Sequence, residues 1–511
     1  MITFYLTLKA PNIYCIIPIH RSQGKPKDVF LSKFYHLNYF LSFLLVGVLG
    51  VWSFGAQAQN KVWNLQQCIE YAIQHNLNIA QGQLNSKNME LTKNQNYWNM
   101  APNLNGFASH AYNIGRRIDP FTNQFANSTV RSNNFYLSSQ VTLFNGLQQQ
   151  NLIRQGNYDF EASKLDVEKI KQDIALNVAN AYLSILLAEE VLTNSKKQRE
   201  ITLAQKERTM KLVEAGSLAI GNQYDIESQL ANEDYNVIAA ENQVTMAYLY
   251  LTQLMNYTEQ ADLLIEKPEN LIPAESILQS TAEGIFQSAV AIQPDIKSAE
   301  LKTLSARSQL ALARGTASPN LSLSGSIGTG YSGLSKELVG SPTITGFTPS
   351  GITSGGDTVF TPEISYDTRT TPFGKQFSDN INKNITFNLT IPIFNQRQSR
   401  TGINRAKIAL ESAQLTTSIR KQNLEQNIQK AYTDAKAALK QYEASTKAVS
   451  ASKESFRYAE QRYNAGALSA MDYSNSKSRL AMAEVNLYRS KFDLVFKLKV
   501  LELYQKGISG L

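Results

Sequence analysis

Past residue 58 this chain has a single cysteine, Cys68, and only two histidines, His75 and His110. One cysteine cannot form an intramolecular disulfide, and two histidines so far apart in sequence offer no metal-ligand spacing. His75 reads as a helix-end residue and His110 as a barrel or loop residue. No nucleophile motif is present and the carboxylates are scattered as on helix faces, so the sequence argues for no catalysis, no metal and no cofactor. Proline is missing from Phe121 to Lys267 and again from Ile393 to the C-terminus. Glycine is nearly missing from the same stretches: after Gly156 the first holds only Gly216 and Gly221, and the second only Gly402, Gly466, Gly507 and Gly510. Long hydrophobic runs are lacking too. Beyond the N-terminal region no run of about 18 apolar residues exists, so no helix is expected to cross a membrane. Of the formal charge of +8, half comes from five Lys/Arg and one Asp within residues 1–58. The rest is dispersed over helical segments, which argues against nucleic-acid binding.

What is there begins with an export signal. Lys25, Lys27 and Lys33 precede an uncharged apolar run from Tyr39 to Phe54, followed by Ala56-Gln57-Ala58. A basic region, a short apolar core and small residues at −3 and −1 describe a cleavable signal peptide, residues 1–58, with the mature chain starting at Gln59. An uncleaved anchor is the alternative. No cysteine directly follows the apolar core to take a lipid. The long stretch before the apolar run points to a true start further along the chain.

The remainder is written twice. Leu77-Asn78-Ile79 and Pro102-Asn103-Leu104 recur as Pro294-Asp295-Ile296 and Pro319-Asn320-Leu321, at an offset of 217. Val141–Asn145 recurs as Ile391–Asn395, Ala181-Tyr182 as Ala431-Tyr432, and Ala215–Leu218 as Ala465–Leu468, all at an offset of 250. Internal repetition at a fixed offset marks duplicated architecture. The change of offset places 33 extra residues in Gly333–Asp379, a Gly-, Ser-, Thr- and Pro-rich stretch expected to form a polar loop over 333–383. Each half therefore reads helix, strand, loop, strand, long helix, turn, helix. The first repeat is placed at 59–255 and the second at 282–511, joined by 256–281.

Four segments alternate with period two. Ile385, Phe387, Leu389, Ile391 and Ile393 are separated by Thr386, Asn388 and Thr390, and Phe135, Leu137, Val141 and Leu143 follow the same rule. Leu321, Leu323, Ile327 and Tyr331 alternate with serines, while Leu104–Ile114 does so less cleanly. The strands are placed at 104–115, 133–144, 321–332 and 384–393. Segments of about ten residues with one apolar face suit a membrane barrel wall, and equally a half-buried soluble sheet. Four strands cannot close a barrel and open edges cannot face lipid, so a membrane role requires several chains to share one barrel.

Leu147–Ala215, one uninterrupted pattern rich in Ala, Leu, Gln, Glu and Lys, would be about 100 Å long as a helix at 1.5 Å per residue. Gly216 and Gly466 then read as the turns of two helical hairpins. The return helix Ser217–Met255 and the entry helix Leu65–Met100 together match one such arm, implying a cylinder of paired helices.

These residues resemble the outer-membrane efflux protein family of TolC-like outer-membrane factors, over essentially all of Val62–Tyr504. The phrase Ala291-Ile292-Gln293-Pro294-Asp295-Ile296, with Ala313-Arg314 and Pro319-Asn320-Leu321, is similar to the family's second-half opening. Tyr463–Leu468 with Asp472 is similar to its second hairpin tip. The resemblance implies an α+β membrane protein of the outer membrane: a homotrimer whose four strands per chain complete a twelve-stranded β-barrel, continued by a long periplasmic α-helical barrel. It implies a passive export duct of a tripartite efflux or type I secretion system, docking to a periplasmic adaptor protein and an inner-membrane pump. On that resemblance the adaptor-contact tips are Ala215, Gly216, Ser217, Leu218, Ala465, Gly466, Ala467 and Leu468. The pore aperture maps to Asp472 and Asn475 in the second repeat, and to Asn222 and Asp225 in the first. Where relatives carry two acidic rings, each repeat here keeps one acid and one asparagine. Asp472 equally suits a plain carboxylate in the first turn of a helix.

Two further readings stay in view. Gly328-Thr329-Gly330-Tyr331-Ser332-Gly333 matches a dinucleotide-binding fingerprint, but no helix is expected after it, so a phosphate cradle is not implied. A secreted helical scaffold or adhesin without a pore is the alternative; a long solvated coiled coil of scaffold type would explain the helices, but neither the strands nor the signal.

Overall fold

The structure, a computed structural model, describes residues 62–118, 123–126, 129–258, 263–268 and 275–510. The expected signal peptide lies outside these residues, as does part of the joining segment 256–281.

The chain opens with strand β1 (Val62–Trp63), then helices α1 (Leu65–His75) and α2 (Leu77–Trp98). Strands β2 (Asn105–Asn113) and β3 (Val130–Phe144) lead into helix α3 (Gln148–Glu214), which turns back as α4 (Gly221–Met255). Strand β4 (Leu264–Ile265) pairs in parallel with β1, tying the joining segment to the chain start. The second half repeats the plan with α5 (Ala282–Ile292), α6 (Pro294–Gly315), β5 (Asn320–Ser332), β6 (Lys336–Ile352), β7 (Thr358–Thr370) and α7 (Phe373–Asp379). It continues with β8 (Asn382–Thr390), α8 (Gln398–Asn464) and α9 (Ala470–Lys506).

Helices α3 and α8 are 67 residues each, about 100 Å at 1.5 Å rise per residue. With no proline inside, nothing interrupts their hydrogen-bond ladders. Both begin from left-handed residues at equivalent places, Gly146-Leu147 and Gln396-Arg397, all at φ between 54° and 65°. In the first repeat the glycine is required by contact as well. A Cβ on Gly146 would stand 2.5 Å from the Ser318 Cβ and 2.7 Å from the Gly315 carbonyl oxygen.

The entry helix expected over Leu65–Met100 is two helices. Asn76 ends α1 in an extended conformation, its side chain accepting from Asn78 N at 2.9 Å and donating to the Leu254 carbonyl at 2.9 Å. Local side-chain bonding of this kind competes with the helix ladder. The break recurs 217 residues on, between α5 and α6, where Pro294 opens the second helix.

Core positions repeat with the same offsets. One cluster gathers Cys68, Ile79, Ile174, Val178, Tyr182, Ile185 and Leu251. The other gathers Ile285, Ile296, Leu424, Ile428, Ala435 and Leu501, with Tyr432 packed on it. The most apolar window of α3 has a mean hydropathy of 1.3, enough by composition for a bilayer, but it is 56% buried inside this packing. It is a core stave. Tyr182 is buried at its centre and donates to the Glu266 carbonyl at 2.5 Å, fastening the joining segment to the helices.

The main sheet runs in the order β8-β5-β3-β2, all antiparallel. Register places Phe387 opposite Leu323, Leu323 opposite Val141, and Ile327 opposite Leu137, so one face is apolar across the sheet. The other face aligns Asn388, Ser322 and Thr142, then Thr386, Ser324 and Gln140. A bulge between Thr142 and Phe144 pairs Phe144, not Leu143, with Leu321, so the expected alternation fails at Leu143. At its far end α7 packs Phe373 and Phe377 onto Phe135 and Tyr331 of the apolar face; elsewhere on that face Ile385, Phe387 and Leu389 are 76%, 66% and 61% exposed.

The stretch 333–383, expected as a polar loop, is built instead from the antiparallel ribbon β6–β7 and the short helix α7. Its threonines are strand formers on a pleated surface, a role that Gly/Ser/Pro content masks. The Gly328–Gly333 phrase lies in and just after β5, and the ribbon follows it.

Since the two cores are equivalent, Ile428→Ala and Ile185→Ala should each destabilise the protein by about 2–5 kcal/mol. Thermal unfolding of the detergent-solubilised protein reads this, and a loss confined to one repeat would contradict equivalent cores.

Candidate functional site

The two helical hairpins turn in the same way. Gly216 and Gly466 adopt φ of 70° and 73°, which a glycine tolerates and most residues do not. Ser217 N donates to the Leu212 carbonyl at 2.8 Å and Gly216 N to Val213 at 2.9 Å. Ala467 N bonds Arg462 at 2.8 Å and Gly466 N bonds Tyr463 at 3.1 Å. This paired pattern satisfies the last carbonyls of each long helix. Ala215, Gly216, Ser217, Ala465, Gly466 and Ala467 are exposed, while Leu218 and Leu468 are half-buried. No heavy atom lies within 4 Å of a Cβ built on either glycine, so in the single chain conformation alone demands glycine there.

The return helices start differently. Ser469 caps α9: its hydroxyl accepts from Asp472 N at 3.1 Å and donates to the Asp472 carboxylate at 2.8 Å. Asp472 thus sits in the first turn of a helix, where the macrodipole favours an anion. Helix α4 has no side-chain cap; Asn222 there donates to the Ala219 carbonyl at 3.1 Å. Between the two tips lies a groove of about 820 Å³. Asn222, Asp225 and Asn475 line it together with Leu218, Ala465, Gly466 and Leu468. Asp472, Ala215, Gly216, Ser217 and Ala467 are not among its lining residues. Three of the four aperture candidates are therefore brought together, and the acid on the groove is Asp225.

Several groups at this end are not evident from repeat matching. Asn194, Gln198, Thr202, Gln205 and Thr209 are buried on one face of α3, continuing toward the tip the stripe that Val178, Tyr182 and Ile185 begin. Their spacing of three and four residues is the signal that betrays them. Lys477 of α9 projects into this polar stretch, 2% exposed. It donates to the Gln198 carbonyl at 2.7 Å and to the Thr202 hydroxyl, and stands 3.4 Å from Glu233 of α4. One ammonium thus ties three helices across both hairpins. Burial drives its pKa down and Glu233 opposes that shift. Nearer the tip Arg208 of α3 donates to Asn464 and lies over the Tyr463 ring at 5.5 Å, while Tyr463 stacks on Tyr473 at 4.6 Å. The side-chain oxygens of Gln198 and Gln205 are buried without a hydrogen-bond partner.

Among the described residues no three His, Cys, Asp or Glu side chains gather as a metal site. Cys68 is buried in the core and its thiol is pushed up to about 12 by that burial, which leaves it protonated and unreactive.

The profile described as outer membrane efflux protein matches residues 68–257 and 285–495 of the chain. The outer membrane protein TolC of Vibrio cholerae serotype O1 is 21% identical over 335 residues, 66% of this chain and 67% of that protein. Among solved structures, the CmeC outer membrane channel of Campylobacter jejuni superimposes with a TM-score of 0.67 at 17% identity, over 88% of this chain and 86% of that one. The open state of the MtrE outer membrane channel of Neisseria gonorrhoeae gives 0.64 at 19% identity, over 88% and 89%.

The buried lysine makes a testable claim. Removing its partner in Glu233→Gln should cost up to about 3 kcal/mol, whereas Lys477→Met, close in volume, should be neutral or stabilising. Because the folded state binds its proton less well than the unfolded, stability should rise with pH through the alkaline range below lysine's ordinary value of 10.5. Melting midpoints against pH for the wild type and Lys477→Met decide the matter: equal slopes would remove Lys477 from the account.

Proposed function

Because the chain belongs to the outer membrane efflux protein family, and so is a protein of the outer membrane, we propose that it is the passive exit duct of a tripartite efflux or type I secretion system. One observation carries this: a four-stranded sheet, apolar and largely exposed on one face, is fused to helices of 67 residues. Water does not favour such a face, and lipid does. Lipid, however, tolerates no open edge, and among the described residues both β8 and β2 end the sheet unpaired. Three copies, each adding four strands, close a twelve-stranded barrel. The helices then continue it as a tunnel about 100 Å long in the periplasm.

The tips are where the duct meets its partners. Ala215–Ser217 and Ala465–Ala467 present small, exposed residues at two similar turns, each followed by a half-buried leucine, Leu218 or Leu468, with a groove between them that suits a helical hairpin of a periplasmic adaptor protein. The adaptor in turn joins an inner-membrane pump. Asn222, Asp225, Asp472 and Asn475 form the aperture. Its closure rests on the polar contacts around Lys477 and Arg208, which can separate more readily than an apolar seam. Three Asp472 carboxylates around a threefold axis would repel anions and attract cations.

Carbonate washing of membranes should leave the protein in the outer membrane, and native mass measurement should find trimers. Recovery as a soluble periplasmic monomer would favour a secreted scaffold without a pore. At the tips, Gly216→Asn keeps the left-handed turn while adding bulk, and Gly216→Ala strains it by about 1–2 kcal/mol while adding little. If docking is the function, Asn should abolish export and Ala should largely spare it; the reverse order would assign the glycine to the turn alone. In planar bilayers Asp472→Ala should raise conductance or relieve cation block, and an unchanged channel removes Asp472 from the aperture.

A further inference from the structure

The inserted ribbon β6–β7 has no part in the four-stranded sheet, yet it is held firmly at its root. Gln376 of α7 donates to the Ser332 and Thr371 carbonyls at 3.0 and 2.9 Å and accepts from Ser332 N at 2.9 Å. Phe377 meets Phe135 at 5.8 Å. Glu337 pairs with Lys375 and Arg369 at 2.8 and 2.7 Å, and the Lys375 hydrogen bond leads in holding its carboxyl below the usual range. From this root β6 runs 17 residues, roughly 55 Å at about 3.3 Å per residue.

Register separates its two faces. Ile344 pairs with Ile364, Phe347 with Pro362, Pro349 with Phe360, and the bulges keep Leu338 and Ile352 on that same side. The opposite side pairs Thr343 with Ser365, Gly346 with Glu363, Thr348 with Thr361 and Val339 with Asp367. One face is therefore apolar along its length, and its residues are bare: Leu338 and Phe347 are both 64% exposed. A two-stranded ribbon is marginal by itself in water, and an apolar face of this length needs a cover.

Charge narrows the choice of cover. Between Glu337 and Arg369 the ribbon carries Asp357, Glu363 and Asp367 and no lysine or arginine. Segments that lie on a lipid surface carry basic residues, so a headgroup layer fits poorly. A second copy of this chain fits better. The ribbon is inserted between β5 and β8, and β8 is one of the two sheet edges unpaired among the described residues, where on the trimeric reading a neighbouring protomer joins. It leaves the sheet at the end of β5 far from α6, on the side away from the helices.

We propose that the apolar faces of three such ribbons pack against one another over the barrel mouth, forming a closed collar on the side away from the helical tunnel. This rests on the trimeric reading above, and the test separates the two. In the full chain, with buried Cys68 as an unreactive background, Phe347→Cys should cross-link through a short bis-maleimide to dimers. Thr348→Cys, on the other face, should give at least ~10-fold less, since adjacent strand residues face opposite ways. Phe347→Asp with Ile364→Asp should lower the temperature at which trimers dissociate, and Thr348→Asp with Thr361→Asp should not. Trimers that show neither effect would overturn the collar alone, whereas monomers by native mass would overturn the trimeric reading itself. Strong quenching of Phe347→Trp fluorescence by brominated phospholipid would assign the face to lipid and also overturn the collar.

Discussion

A backbone amide or carbonyl in hydrocarbon has no water to bond, and that single constraint organises this molecule. Its four-stranded sheet has an apolar face left largely exposed and two edge strands that are unpaired among the described residues. A soluble protein would pack a helix or a second sheet over such a face. Here the helices instead leave from the ends of the strands, through the left-handed residues Leu147 and Arg397, and build their own core elsewhere. The sheet is thus left open at both edges among the described residues.

The helical part obeys a different economy. Duplication supplies two equivalent cores, with Val178 matched by Ile428, Ile185 by Ala435 and Leu251 by Leu501. It also supplies the same break in both entry helices, made by asparagine side-chain bonds in one repeat and by proline in the other. Toward the tips the repeats part company. Ser469 caps α9 where α4 has no side-chain cap, and Lys477 binds across to α3 and α4 with no equivalent in the first repeat. The stripe on α3 changes there from Val, Tyr and Ile to Asn, Gln and Thr. Apolar packing is hard to reopen, while hydrogen bonds can be exchanged for water at small net cost. The apolar and the polar packing are therefore laid end to end along the same helices.

Much of this was legible before any coordinates. Period-two alternation located all four sheet strands to within a few residues, and missing proline marked the two long helices. Gly216 and Gly466 marked their turns. Three features were misread, each for a physical reason. The ribbon over 333–383 was hidden because its Gly-, Ser-, Thr- and Pro-rich composition reads as loop, while its strands are held by pairing with each other and by a glutamine-anchored root. The break at Asn76 was hidden because a single asparagine is compatible with a helix until a carbonyl such as that of Leu254 draws its side chain away. The bulge at Leu143 shifts which residue joins the apolar face by one place, and bulges follow from pairing with a partner strand.

The amino-acid sequence by itself determined the duplication, the long helices, the amphipathic strands and the family, because periodicity and punctuation are local properties of the chain. Only the tertiary structure decided which polar residues are buried together, that Lys477 spans both hairpins, that Asp225 lines the groove which Asp472 does not, and that the insertion carries an apolar face. Those facts depend on residues brought together from hundreds of positions apart, and no local pattern records which face of one element will meet which face of another.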